Sequence, residues 1–107
     1  MVTRGDLPPG VQCCQAVHAA IEFALAHPSL ARDWHGASNT LALLAAPDEL
    51  ALVWLCQDAI AAGLRHTRFH EPDLGGALTA ATFEPAAKPL LKHLPTALKR
   101  RGEVMMT

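Results

Sequence analysis

A chain of 107 residues can bury one hydrophobic core without disulfide or metal staples and is too short for two independent domains. Half of it is hydrophobic and 18% is charged, which excludes a disordered chain, and no apolar run reaches the ~20 residues of a membrane span. The net charge of −1 implies no nucleic-acid affinity by itself, but it is unevenly spread: residues 1–87 hold four Lys/Arg against nine Asp/Glu, residues 88–107 five against one.

Residues 1–4 read as a short first strand. Gly5-Asp6-Leu7-Pro8-Pro9-Gly10 is turn chemistry leading into a helix over residues 10–25. Val11, Cys14, His18, Ile21 and Leu25 recur at three- and four-residue steps, predicting one apolar stripe, widened by Cys13, Ala16, Val17, Ala20 and Ala24. Pro28 marks a boundary, residues 30–35 add a further helical turn or two, and Gly36 ends them. The run TLALLA over residues 40–45 predicts a strand covered on both faces. Pro47-Asp48-Glu49 is a helix start with carboxylates in its first turn. The stripe Leu50, Val53, Trp54, Gln57, Ile60, Ala61 predicts a second main helix ending at Gly63.

Residues 64–71 alternate with period two, the pattern of an exposed or edge strand. Residues 72–76 form a loop and residues 77–83 a further strand. Glu84-Pro85 begins a last helix to about residue 94. The expected fold is therefore a single α/β layered domain over residues 1–95, with a mixed sheet of about four strands flanked by three main helices. Residues 96–107 form a basic tail. Its cations, with those of the helix before it, are Lys88, Lys92, Lys99, Arg100 and Arg101, which suit either phosphate contact or a solvated helix end.

The N-terminus lacks the apolar core of a signal peptide, which predicts a cytoplasmic protein. Cys13, Cys14 and Cys56 make no disulfide framework and are expected as thiols in small apolar sites. Trp34 and Trp54 are expected in or beside the core. In an open α/β sheet, functional groups gather at the carboxyl ends of strands, which singles out Asp6 and Asp73. Asp73 can face the helix carrying His18, giving a carboxylate and an imidazole for acid/base work on water; the plainer alternatives are a capping loop carboxylate and a buried, hydrogen-bonded histidine. Cys14 with His18, and His66 with His70, have chelating spacing, but neither has the second pair that structural zinc needs. No metal or cofactor is expected. Gly-rich phosphate loops and Gly-x-Ser-x-Gly elbows are absent from the sequence.

Arg4-Gly5-Asp6-Leu7, then GVQCCQAVHA over residues 10–19, resemble the opening of the type II peptidyl-tRNA hydrolases, whose helix reads Gly-Lys-x-Ala-Ala-Gln-x-x-His-Ala. Asn39-Thr40, Ala46-Pro47-Asp48-Glu49 and Glu71-Pro72-Asp73 extend the resemblance in order along the chain, nearest to the shorter peptidyl-tRNA hydrolase domain-containing branch. The resemblance implies a four-stranded mixed sheet, a homodimer, and metal-free hydrolysis of the ester joining a peptide to the 3′ ribose of tRNA. It implies catalytic roles for His18, Asp73 and Thr79, substrate binding by Gln15, and contacts from Lys88, Lys92, Lys99, Arg100 and Arg101 to peptidyl-tRNA. Two positions depart from the pattern: the family's helix lysine is Val11 here, and the loop's arginine and threonine are Gly76 and Ala77. The alternative reading is a non-catalytic RNA- or protein-binding module of the same fold.

Overall fold

The computed structural model describes residues 1–99. Its strands are β1 (Val2–Arg4), β2 (Leu44–Ala46), β3 (His66–Glu71) and β4 (Ala77–Phe83). Its α-helices are α1 (Pro9–Ala26), α2 (Pro28–Ala37), α3 (Glu49–Ala61) and the short α4 (Lys88–Leu91). The strands form one mixed sheet in the order β2-β1-β4-β3, with β1 parallel to β2 and antiparallel to β4, and β3 antiparallel to β4. α1 packs across β1, β4 and β3, while α3 packs against β1, β2 and β4. The α/β class and four-stranded mixed sheet match the sequence reading. The helix count becomes four, because Pro28 starts α2 as a helix of its own that continues through Gly36.

The core lies under α3. Leu52, Leu55, Cys56 and Ala59 of α3 meet Val2, Ala46, Leu78, Ala81 and Phe83 of the sheet, with Ala87 and Leu91 closing the end. Fully burying a leucine such as Leu52 stabilises the fold by roughly 1.5–3 kcal/mol. Asp48 caps α3 by accepting a hydrogen bond from the Ala51 N–H at 2.9 Å. The α3 exit is an αL cap, with Gly63 at φ +70° and the Leu64 N–H reaching back to the Ala59 carbonyl at 2.8 Å.

The interface under α1 is built differently. Its buried residues are Gln12, Gln15, Ala16, Ala19 and Phe23, which let the helix approach closely and hydrogen-bond to the sheet. Gln12 Nε2 donates to the Leu7 carbonyl at 2.7 Å, Thr3 Oγ1 to the Gln12 carbonyl at 3.3 Å, and Thr67 Oγ1 to the Ala19 carbonyl at 3.1 Å. These polar groups are buried with partners that offset the loss of water.

That arrangement corrects the predicted helix faces. The stripe of Val11, Cys14, His18, Ile21 and Leu25 faces solvent, with Leu25 74% exposed, and of the small residues thought to widen it only Ala16 belongs to the true inner face, with Ala20 half-buried. On α3 the predicted stripe is also outward: Leu50, Trp54 and Ile60 are exposed, and Leu52, Leu55, Cys56 and Ala59 are inside. Trp54 is therefore no core residue. Of the three cysteines only Cys56 fills an apolar site, while Cys13 and Cys14 are exposed. Burial raises the Cys56 thiol pKa above its ordinary value.

β2 is shorter than predicted and sits at a sheet edge, with Leu41 exposed. The last helix is interrupted: a 3₁₀ turn over Pro85–Ala87 precedes α4. Beyond α4 the chain returns along β2, where Thr96 bridges Leu44 and the Ala97 N–H donates to the Leu43 carbonyl. Arg100 and Arg101 lie outside the described residues.

Candidate functional site

The site is assembled where the start of α1 crosses the β3–β4 turn. α1 runs opposite to β3, so residues descending along the helix meet residues ascending the strand. Gln15 pairs with Glu71, His18 with Phe69, and the Ala19 carbonyl with Thr67. The strand face carrying Thr67, Phe69 and Glu71 is thus the one that α1 covers.

A β-bulge supplies the next member. Phe69 pairs with Ala80 and His70 with Leu78, which leaves Thr79 as an extra residue on β4. Thr79 is fully buried, and its hydroxyl lies 2.6 Å from Gln15 Oε1, with the Phe69 carbonyl a longer 3.3 Å away. The direction of these bonds follows from their far end. An ionised Glu71 can only accept, so the Gln15 amide must turn its Nε2 toward Glu71 Oε1, at 3.0 Å, and its Oε1 toward Thr79. The result is a polarised relay in which Thr79 donates to Gln15 and Gln15 donates to Glu71.

Glu71 holds the next turn as well. Its Oε2 accepts from the Asp73 N–H at 3.3 Å, capping the 3₁₀ turn Pro72–Leu74, which ends at Gly75 with φ +67°. A left-handed backbone there suits glycine. The Gln15 hydrogen bond, followed by the Asp73 N–H and the nearby His18, lowers the Glu71 pKa below the ordinary carboxylate value. Glu71 is therefore a fixed anion with both oxygens engaged. It organises the site, and it caps the turn where the sequence alternatives had Asp73 doing so.

Asp73 differs in that no hydrogen bond or ion pair occupies its side-chain oxygens among the described residues. Together with Val11, Cys14, Gln15, Glu71 and Leu74 it lines a groove of about 530 Å³. His18 sits one turn further along α1, exposed, with its ring stacked on Phe69 at 4.4 Å between centroids and 8° between planes. It is thus neither buried nor bound to a carbonyl. The stack orients the imidazole, which carries no hydrogen bond among the described residues.

Of the residues singled out from the sequence, Gln15, Asp73, His18 and Thr79 come together, with Thr79 acting through Gln15. Asp6 does not join them: it forms a bidentate pair with Arg4, at 3.0 and 2.8 Å, and that hydrogen bonding lowers its carboxyl pKa. Lys88 and Lys92 lie at the far end of β4, roughly 20 Å from Ala77 at ~3.3 Å per strand residue. Lys99 follows Leu98, whose N–H is held by Gln12 Oε1 at 3.2 Å, so its backbone runs near the first turns of α1. Among the described residues no three His, Cys, Asp or Glu side chains converge as metal ligands. Glu71 is the residue that sequence reasoning missed. Its signal was its place on one strand face with Thr67 and Phe69, opposite a helix offering Gln15 and His18.

No protein-family model matches this chain, and no curated protein matches it.

Proposed function

We propose that the groove beside Gln15, Glu71 and Asp73 hydrolyses the ester joining a peptide, or an N-blocked amino acid, to the 3′ ribose of tRNA, as the type II peptidyl-tRNA hydrolases do. The observation that carries this reading is the relay from Thr79 through Gln15 to Glu71, with Asp73 at its mouth and unpaired among the described residues. It unites at one sheet end the residues that the resemblance marks for chemistry. In this reading Asp73 or His18 accepts a proton from water, whose oxygen attacks the ester carbonyl. The tetrahedral intermediate expels the ribose 3′ oxygen, which takes the proton from the base, leaving a 3′ hydroxyl and a carboxylic acid that loses its proton to water. Glu71 holds the Asp73 turn and the Gln15 amide in place, and Thr79 fixes that amide. Lys99 meets phosphate near the ester, Lys88 and Lys92 meet the duplex further away, and Arg100 and Arg101, outside the described residues, are the remaining cations that the resemblance assigns to tRNA. The protein acts in the cytoplasm, as a homodimer whose second copy covers outward apolar surface such as Val17 and Ile21.

One observation favours the second reading, a binding module without catalysis. Among the described residues the groove lining carries two carboxylates and no cation, with Val11 where the family has lysine. A missing cation weakens both phosphate contact and oxyanion stabilisation. The two readings separate by experiment. A hydrolase binds tRNA with an affinity that falls steeply with salt and releases N-acetyl-amino acid from a charged tRNA; a module for protein partners does neither.

A further inference from the structure

At the opposite end of the sheet a second cavity, of about 660 Å³, opens between the end of α1, α2, the segment before β2, and α4. Its wall is apolar, with Phe23, Trp34, Leu41 and Phe83 among its residues. Leu41 is 69% exposed, so the cavity presents uncovered apolar surface to water. Its size falls in the range of small-molecule sites. Besides the Met1 ammonium, which donates to the Ala42 carbonyl at 2.8 Å, two lysine cations, Lys88 and Lys92, stand one helical turn apart on this wall. Neither forms an ion pair among the described residues. The acid on the wall is Glu84, and its Oε2 accepts the Arg65 N–H at 2.6 Å, which ties that carboxylate to the start of β3.

An apolar chamber with paired ammonium groups and a tethered acid is complementary to one kind of molecule, an unbranched apolar chain ending in an anion. The geometry points to this cavity as a binding site for a free fatty-acid carboxylate, the chain lying along Phe23, Trp34 and Phe83 and the carboxylate accepting from Lys88 and Lys92. The inference uses no residue of the groove, and it gives Lys88 and Lys92 a ligand other than the tRNA duplex of the hydrolase reading.

The chain holds two tryptophans, and Trp54 is exposed on α3 and is not part of the cavity wall. Trp54→Phe therefore leaves Trp34 as the only reporter. In the full chain carrying that substitution, dodecanoate below its micelle concentration changes Trp34 emission saturably, and dodecanol, with the same tail and no charge, binds more weakly. Adding Lys88→Ala and Lys92→Ala weakens dodecanoate about tenfold or more and leaves dodecanol unchanged. Both lysines are exposed, so this variant keeps its circular dichroism. Ala24→Phe, at an exposed helix position on the wall, abolishes both responses. The inference is overturned by an unsaturable response, by equal affinity for dodecanol and dodecanoate, or by a response to phosphatidylglycerol vesicles with none to monomeric dodecanoate.

Discussion

β4 contains two threonines three residues apart whose hydroxyls have opposite fates, and the same substitution at each should move stability in opposite directions. Thr79 Oγ1 donates to Gln15 Oε1 at 2.6 Å, and Gln15 is only 4% exposed. Thr82 Oγ1 is buried with no hydrogen-bond partner among the described residues. Threonine to valine keeps the volume nearly constant and retains a β-branched residue in a strand, so neither cavity formation nor strand propensity obscures the comparison. Thr79→Val strands the Gln15 carbonyl oxygen in the interior, a cost of about 1–3 kcal/mol. Thr82→Val removes a hydroxyl whose burial was uncompensated, which is neutral or stabilises by up to ~1 kcal/mol. Urea unfolding reads both as midpoint shifts at constant slope, and in a chain this size 1 kcal/mol is about 4–8 °C in Tm. Equal shifts in the two variants, or a larger loss from Thr82→Val, would refute the assignment of the relay.

Three further outcomes follow from particular contacts. Ellman's reagent should react rapidly with Cys13 and Cys14 in the folded protein and with Cys56 only on unfolding, because only Cys56 is buried; three fast thiols would contradict the packing under α3. Burial, with the neighbouring Arg68, holds the His66 pKa below its ordinary 6.5, and Arg68 Nε donates to His66 Nε2 at 3.2 Å, a bond that needs neutral imidazole. The unfolded chain therefore gains its proton first. Stability is full above pH 6.5 and falls as pH drops below it toward the folded value, and His66→Gln should flatten that slope in urea midpoints taken from neutral pH to about 5. Finally, Val11→Lys places a cation on the groove; it should raise ester hydrolysis about a hundredfold and cost no more than ~1 kcal/mol at a helix start. An unchanged rate would remove the missing lysine from the account.

How much of this was legible follows from which signals carry direction. Element positions were readable for α1, α3, β3 and β4, because proline, glycine and period changes mark boundaries. Which face of each helix turns inward was not. On α3 the apolar residues run around the helix, so a stripe can be drawn on either side. On α1 the inner face is made of two glutamines, two alanines and one large apolar residue, Phe23, and the polar contacts that hold it lie in β1, β3 and β4, distant in sequence. A search for large apolar side chains then finds the outer face. The groove shows the same limit: Asp73 and His18 were recognisable as chemical groups, whereas Glu71 reads as a solvated strand end until the bulge at Thr79 and the position of Gln15 are known.

One rate tests the hydrolase most directly: release of N-acetyl-amino acid from N-acetyl-aminoacyl-tRNA by the full chain, compared with Asp73→Ala, His18→Ala and the control Thr82→Val, whose residue lies outside the groove. Turnover above the uncatalysed rate that persists in Thr82→Val and collapses in Asp73→Ala or His18→Ala is the predicted result. A folded protein with no turnover, or turnover indifferent to both groove substitutions, would contradict the hydrolase and leave the acidic groove as a docking site.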